Sequence, residues 1–437
     1  MRDATPTSPK TFVGFGFGAI QAGLYLYEAM RSGAFDRLVV VYRRPETIRR
    51  IRAADGYFSL NIAHADGVEA VRVGPVEMFD VNAPADREHI VQAVAEASEL
   101  ATALSSVNDY VTSRPASIHR LLAEGLKRKV EQGGPRALVY TSENHTEAAE
   151  LLEKAVSAEL ADKERAAVAR SSCFVNTVIG KMSRVVEAAD ELKTLALEPI
   201  TPGGTRAFLV EAYRHILVSS VSFQEGASFE SGFDFDEKAD LTPFEEAKLY
   251  GHNATHALAA YLGVFAGAVY MADLKDVPGF LPFLRAAALD ESGAALLRRH
   301  GGSDPMFTPE GYTNFMENLL GRMLNSYLKD TVARVGRDAR RKLGWNDRLI
   351  GAMRLILDMG LEPRRHALGV AAALASENMR REDLLELWRG EDTNEAERCE
   401  VLTLVETGFE HFNAWRTAGC PPLEPFFKTF YGGKNDA

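Results

Sequence analysis

The chain has 437 residues, 46% hydrophobic and 25% charged, with a formal net charge of −11. That length has room for two or three domain-sized cores, and the acidic balance excludes the basic footprint of a nucleic-acid binder. Three cysteines, Cys173, Cys399 and Cys420, are too few and too scattered for a disulfide framework or a zinc cluster, which points to a reducing, cytoplasmic setting.

The first ten residues, MRDATPTSPK, lack the apolar core of a signal peptide. Thr11, Phe12 and Val13 then lead into GFGFGAIQAGLYLYEAMRSGAF and RLVVVYRR, which reads as strand, glycine turn, helix, strand. Gly16 and Gly18 suit a tight turn whose backbone, Gly16, Phe17, Gly18, Ala19 and Ile20, approaches a pyrophosphate at a helix N-terminus. The third glycine of G-x-G-x-x-G is absent, because Gln21 stands there. Glycines in a loop are often only turn residues, but the flanking β-α-β pattern at the chain start favours dinucleotide binding in a Rossmann-type α/β domain.

Cofactor choice is read at the end of the second strand, where NAD-specific domains carry a carboxylate for the ribose. Here RLVVV runs into Tyr42, Arg43 and Arg44, with no carboxylate before Glu46. Two arginines suit a 2′-phosphate, so NADP is favoured over NAD. The alternative is a pair of solvated loop arginines.

The clearest strands are LVVVY, EAVRVG and ALVYTS, and they alternate with helical patterns up to about residue 235. This predicts a largely parallel sheet with helices on its faces. The Gly- and Asp-rich stretch 228–243 marks a boundary, giving a dinucleotide-binding domain over 1–238 and a mainly α-helical domain over 239–437.

The second domain opens with PFEEAKLYGHNATHALAAYL, residues 243–262, which has no proline after position 243 and should be helical. It carries Lys248, Asn253 and His256 in the pattern K-x4-N-x2-H, with Glu245 one turn earlier. In an ideal α-helix, at about 100° per residue, His256 falls roughly 80° from Lys248 and Asn253 roughly 140° from it. An amine in a dry cleft can serve as a base, an amide N–H can hold an alkoxide, and an imidazole can fix a hydroxyl. Such residues are more often surface or packing groups, and it is the nucleotide-binding start that raises the catalytic reading. The apolar run 257–271 is 15 residues long and contains Gly263 and Gly267, so it reads as a buried helix rather than a membrane span.

These segments together resemble the polyol-specific long-chain dehydrogenases, the mannitol dehydrogenase family. The resemblance runs from about residue 11 to 375 through GFGAIQAG, VYTSENHTEA, CFVNTVIGKM, KLYGHNATHALAAYLG and LDESGAALLRRHG. The segment RMLNSYLKDTVARVGRDARRKLGWNDRLI, residues 322–350, is similar to the mannitol-1-phosphate 5-dehydrogenase branch. The resemblance implies a metal-free oxidoreductase interconverting mannitol 1-phosphate and fructose 6-phosphate, or a related polyol and ketose, with no membrane partner, as a monomer or weak dimer. Lys248 would then be the general acid/base, Asn253 and Asn176 the oxyanion donors, His256 a hydroxyl contact and Glu245 an aid to proton exchange. Glu143 and Asn144 would lie near the nicotinamide end of the cofactor.

For a substrate phosphate the dense cations of 322–348 are candidates, and Arg337 and Arg341 are taken as its ligands. A charge run is usually a solvated helix face, and Asn325 and Lys329 are alternatives. Free hexitols, pentitols and sugar acids remain open as substrates. So does a cofactor-binding regulator without catalysis, against which the intact Lys248, Asn253, His256 and Asn176 set argues. A short-chain reductase would need Y-x3-K after its fourth strand, and none stands there.

Overall fold

The computed structural model describes residues 10–223, 228–391 and 394–432. The chain divides into two units, Met1–Leu241 and Thr242–Ala437.

The first unit is built on strands β1 (Thr11–Phe15), β2 (Arg37–Tyr42), β3 (Phe58–Ala63), β4 (Val68–Val73), β5 (Glu77–Asp80), β6 (Ala97–Thr102), β7 (Ala137–Thr141), β8 (Ser172–Ile179), β9 (Ser183–Val186), β10 (Ala207–Glu211), β11 (Ile216–Ser219) and β12 (Asp236–Lys238). Its main sheet runs β5-β2-β1-β6-β7-β8-β11-β12. The pairs from β5 through β8 are all parallel, and β11 joins β8 antiparallel. The strand order reverses between β1 and β6, which is where an open α/β sheet of Rossmann type opens a crevice for a ligand.

Helices cover both faces, and side-chain alternation along the strands sorts residues between them. Val13, Phe15, Val39 and Val41 pack on one side with Val91 and Val94 of α3 (Pro84–Glu96) and Leu122 of α4 (Ile118–Gln132). Phe12, Val40 and Leu138 pack on the other with Tyr25 and Leu26, which precede α1 (Tyr27–Ser32). The segment EAVRVG does form a strand, but outside this sheet. It is β4, in a second, mixed sheet of order β4-β3-β10-β9. Its exposed Val68, Glu69 and Ala70 show that it lacks the two-sided burial of a central parallel strand.

The second unit is helical. Its central helix, Ala254–Phe265, keeps Ala257 to Leu262 at no more than 1% exposure. An apolar helix buried all round is a core element. It stops because Gly267 takes φ +80°, which lets the Ala268 N–H turn back to the Gly263 carbonyl at 3.0 Å. Among the described residues no helix is long and apolar enough to cross a membrane.

Candidate active site

In the first unit the turn after β1 has the shape a pyrophosphate needs. Gly16 sits at φ +99°, and a Cβ there would lie 2.5 Å from the Ala103 carbonyl oxygen, so only glycine fits. A Cβ on Gly18 would meet nothing within 4 Å, so the outer side of the turn is open. The first intrahelical bond, Ala22 N–H to the Gly18 carbonyl at 2.9 Å, leaves the preceding N–H groups outside the helical ladder, as at an anion-binding helix start. Phe17 contributes backbone only, because its ring is buried against Tyr42, Phe58 and Phe208.

Gln21 replaces the third glycine without pushing the helix away. Its amide lies over Gly14 in β1, where a Cβ would come within 2.1 Å of Nε2. The missing side chain on the strand makes room for the added one on the helix. The price is a buried amide with no hydrogen bond among the described residues.

Arg43 and Arg44 are exposed, directly after β2. Glu46, the first carboxylate beyond them, is ion-paired to Arg49 and, at 2.7 Å, to Arg50. Asn144 is exposed just past the C-terminal end of β7.

Two expected ligands have their polar atoms engaged inside the first unit. The Glu143 carboxylate accepts from Thr102 Oγ1 at 2.9 Å, the Leu104 N–H at 2.8 Å, the Ser142 N–H at 3.1 Å and the Tyr110 hydroxyl. Burial raises its pKa, and the bonds tie together the loops after β6 and β7. The Asn176 side chain accepts from the Ala149 N–H at 2.8 Å and donates to Glu150 at 2.8 Å. That anchors the first turn of α5 (Ala148–Ala158) to β8. Both residues hold the scaffold.

The second unit carries the chemistry-bearing helix, and its form differs from the ideal one. Residues Ala247–Asn253 make a π-helical turn between Thr242–Glu246 and Ala254–Phe265. In a π-turn the hydrogen bonds run i→i+5, as from the Ala254 N–H to the Leu249 carbonyl. Residues five apart therefore lie nearer one another around the axis, which turns Asn253 toward the side of Lys248 instead of about 140° away. His256 follows three residues on, and the three groups converge more closely than regular helical spacing allows.

Lys248 is half-buried, and burial is the main cause that draws its pKa down to about 8. The positive charge of Arg348 lowers it further, while Glu245 pulls it up. At pH about 7.5 roughly a quarter of such amines are unprotonated, against about a thousandth at the ordinary value. The Asn253 amide bonds to nothing among the described residues. His256 Nε2 is buried without a hydrogen-bond partner among the described residues. Burial takes its pKa down to about 4 against the raising effect of Asp330, so the imidazole is neutral. An amine near its titration point, an unengaged amide and a neutral imidazole can share one hydroxyl and its proton.

Arg337 and Arg341 do not join this group. Their side chains are 67% and 55% exposed and pair with Asp338 and Asp347. His252 was not among the expected site residues, and Arg348 was only one of the many candidate cations of 322–348. His252, one turn after Lys248, is 6% exposed with its ring 6.1 Å from that of His256. Arg348 is 18% exposed, and its charge acts on Lys248, His252 and His256. The four-residue steps from 248 to 252 to 256 were a legible signal for His252. Nothing in the local sequence separates Arg348 from its basic neighbours.

The mannitol dehydrogenase Rossmann-domain model matches residues 10–225, and the mannitol dehydrogenase C-terminal-domain model matches 240–383. A mannitol-1-phosphate 5-dehydrogenase of Bacillus licheniformis is 30% identical over 73% of this chain and 76% of its own length. The chain belongs to the mannitol dehydrogenase family. Within that family it is also similar to a Bacillus velezensis mannitol-1-phosphate 5-dehydrogenase, at 28% identity over 82% of this chain and 86% of that one. Two solved structures share its fold. A substrate-free D-sorbitol dehydrogenase has a TM-score of 0.73 at 15% identity, covering 94% of each chain. The Pseudomonas fluorescens mannitol 2-dehydrogenase, in a ternary complex with NAD and D-mannitol, has a TM-score of 0.68 at 16% identity, covering 97% of this chain and 95% of that one. Membership makes the protein an oxidoreductase of the polyol dehydrogenase type.

Proposed function

We propose that the protein interconverts a polyol phosphate and its ketose phosphate, mannitol 1-phosphate and fructose 6-phosphate first among them, with a nicotinamide cofactor. The observation that supports this reading is the π-turn on the helix that carries Lys248, Asn253 and His256, in a mannitol dehydrogenase family chain where burial lowers the pKa of Lys248 to about 8 and that of His256 to about 4.

The backbone of Gly16 to Ile20 holds the cofactor's pyrophosphate, and Asn144 lies toward its nicotinamide end. When bound, the nicotinamide supplies a hydride acceptor or donor. Lys248 Nζ takes the hydroxyl proton in oxidation and returns it in reduction. Asn253 Nδ2 donates to the oxygen as charge builds on it. His256 Nε2 binds that hydroxyl or its neighbour and fixes which carbon reacts. Glu143 and Asn176 hold the loops and the helix that frame the cofactor.

The test is a turnover panel of mannitol 1-phosphate, free hexitols, pentitols and sugar acids with NAD and NADP. Oxidation of mannitol 1-phosphate with the highest kcat/KM supports the reading. Absence of turnover with every polyol would leave a binding protein.

The pH profile is a second test. Oxidation needs unprotonated Lys248, so its kcat/KM should rise through pH about 8 and level off, while reduction should fall through the same region. Glu245 favours the ammonium form, so Glu245→Gln should move both midpoints to lower pH. Midpoints that stay in place would detach Glu245 from the lysine.

For the cofactor we favour NADP. Arg43 and Arg44 stand where a carboxylate would repel a 2′-phosphate, and Glu46 is already paired to Arg49 and Arg50. Replacing both Arg43 and Arg44 by alanine should raise the KM for NADP at least tenfold and move that for NAD little. A wild-type enzyme that prefers NAD by kcat/KM would make these loop residues without a cofactor role.

A further inference from the structure

We propose that Tyr312 is a positioning residue for Lys248 and Asn253, a wedge that keeps the Ala247–Asn253 turn in its π form. Its effect on rate rests on the polyol oxidoreductase reading above, whereas the wedge itself rests on packing.

The second unit contains a further π-turn, Ala287–Gly293, over the sequence AALDESG. Each of these two turns holds a glycine, Gly251 in one and Gly293 in the other. Neither glycine has a positive φ, so neither is needed for its conformational freedom. Glycine weakens a helix relative to alanine, which leaves close packing as the reason for it.

Tyr312 fills both spaces. It lies on the helix Pro309–Met323 and is 1% exposed. A Cβ on Gly251 would come within 2.6 Å of Tyr312 Oη, and a Cβ on Gly293 within 2.6 Å of Tyr312 Cε1. The hydroxyl end therefore abuts one π-turn and the ring edge the other. Ser292, beside Gly293, is the polar side chain acting on the hydroxyl. The preceding residue of the first turn is interlocked as well. A Cβ on Gly351, in the helix Ile350–Asp358, would come within 2.5 Å of Tyr250 Cε1.

Residues 250 and 251 lie between Lys248 and Asn253 in the chain, and each meets a different helix. A π-turn is rare in isolation, so tertiary contacts of this kind decide whether it persists. If the turn relaxed to α form, Asn253 would return to about 140° from Lys248 around the axis.

The contact also names its own suppressor. Tyr312 Cζ is 3.7 Å from the position of a Gly251 Cβ, an ordinary contact, so the hydroxyl oxygen is the atom that collides. Tyr312→Phe removes that oxygen and keeps the ring. Ser292 Oγ still faces the carbonyls of Ala287 and Ala288, at 3.4 Å each.

Gly251→Ala should lower kcat for polyol oxidation about tenfold or more, with a smaller change in KM, because it displaces the reacting groups. It should also move the pH midpoint of oxidation above about 8, because burial is what holds Lys248 down. Adding Tyr312→Phe to Gly251→Ala should bring kcat and the midpoint back toward wild type, a coupling that two independent packing defects would not show. Tyr312→Leu, which removes the ring, should resemble Gly251→Ala. A Gly251→Ala variant with unchanged kcat and midpoint, or a double variant no better than Gly251→Ala, overturns the proposal.

Hydrogen exchange reads the wedge without turnover. Amides of 247–254 should exchange faster in Gly251→Ala than in wild type and slow again in the double variant. If no polyol is turned over while this pattern holds, the oxidoreductase reading fails and the wedge stands. If all three proteins exchange alike, the wedge falls. Should Gly251→Ala not fold, recovery of folded protein by Tyr312→Phe reports the same suppression, and no recovery overturns it.

Discussion

Lys248→Ala should lower kcat for polyol oxidation by about 10²–10⁴, the usual worth of a positioned general base. The dissociation constant for the dinucleotide should stay within about twofold, because the glycine turn that holds it belongs to the first unit. Alanine leaves the helix intact, since its helix propensity is the highest of all residues. Lys248→Arg should not restore the rate, because a guanidinium does not give up its proton at working pH. A small primary amine added at high concentration should rescue the alanine variant in part, and more at alkaline pH. A variant that retains over a tenth of wild-type kcat would remove Lys248 as the base.

Asn253→Ala should cost about 10²–10³ in kcat with little change in KM, the signature of a donor that acts on charge developed in the transition state. Asn253→Asp should be slower still, because a carboxylate repels the alkoxide that the amide would hold. Asn176→Ala should behave differently. Its amide ties the Ala149 N–H and Glu150 to β8, so its loss should lower Tm, with a cost of about 1–3 kcal/mol for the groups left unpaired. Comparison of kcat and Tm for the two alanine variants separates an oxyanion donor from a scaffold bond. If Asn253→Ala changes only Tm, the amide is a packing group and the site contracts to Lys248 and His256.

Much of this protein was written in local sequence. The glycine turn, RLVVV and ALVYT announce a parallel sheet because parallel strands buried on both faces must be nearly continuous apolar runs. The Ala-rich stretch after His256 announces a core helix for the same reason, apolar all round with too short a span for a bilayer. The family was likewise legible in K-x4-N-x2-H and in the segments around it.

Tertiary structure decided the rest, because it depends on contacts that sequence spacing does not encode. EAVRVG has strand propensity, but only pairing energetics place it in the second sheet as β4. Gln21 looks like a broken fingerprint until Gly14 is seen beneath its amide. The π-turn at Ala247–Asn253 shifts the helix register by one residue and narrows the spread of about 140° that regular helical spacing would give. Glu143 and Asn176 each accept from backbone N–H groups of neighbouring loops and helices, contacts that no local spacing announces. The basic segment holds many cations of equal local appearance. Burial separates outward Arg337 and Arg341 from Arg348, although Arg341 and Arg348 share the carboxylate of Asp347, because a charge gains its strength from desolvation, a property of the folded surroundings.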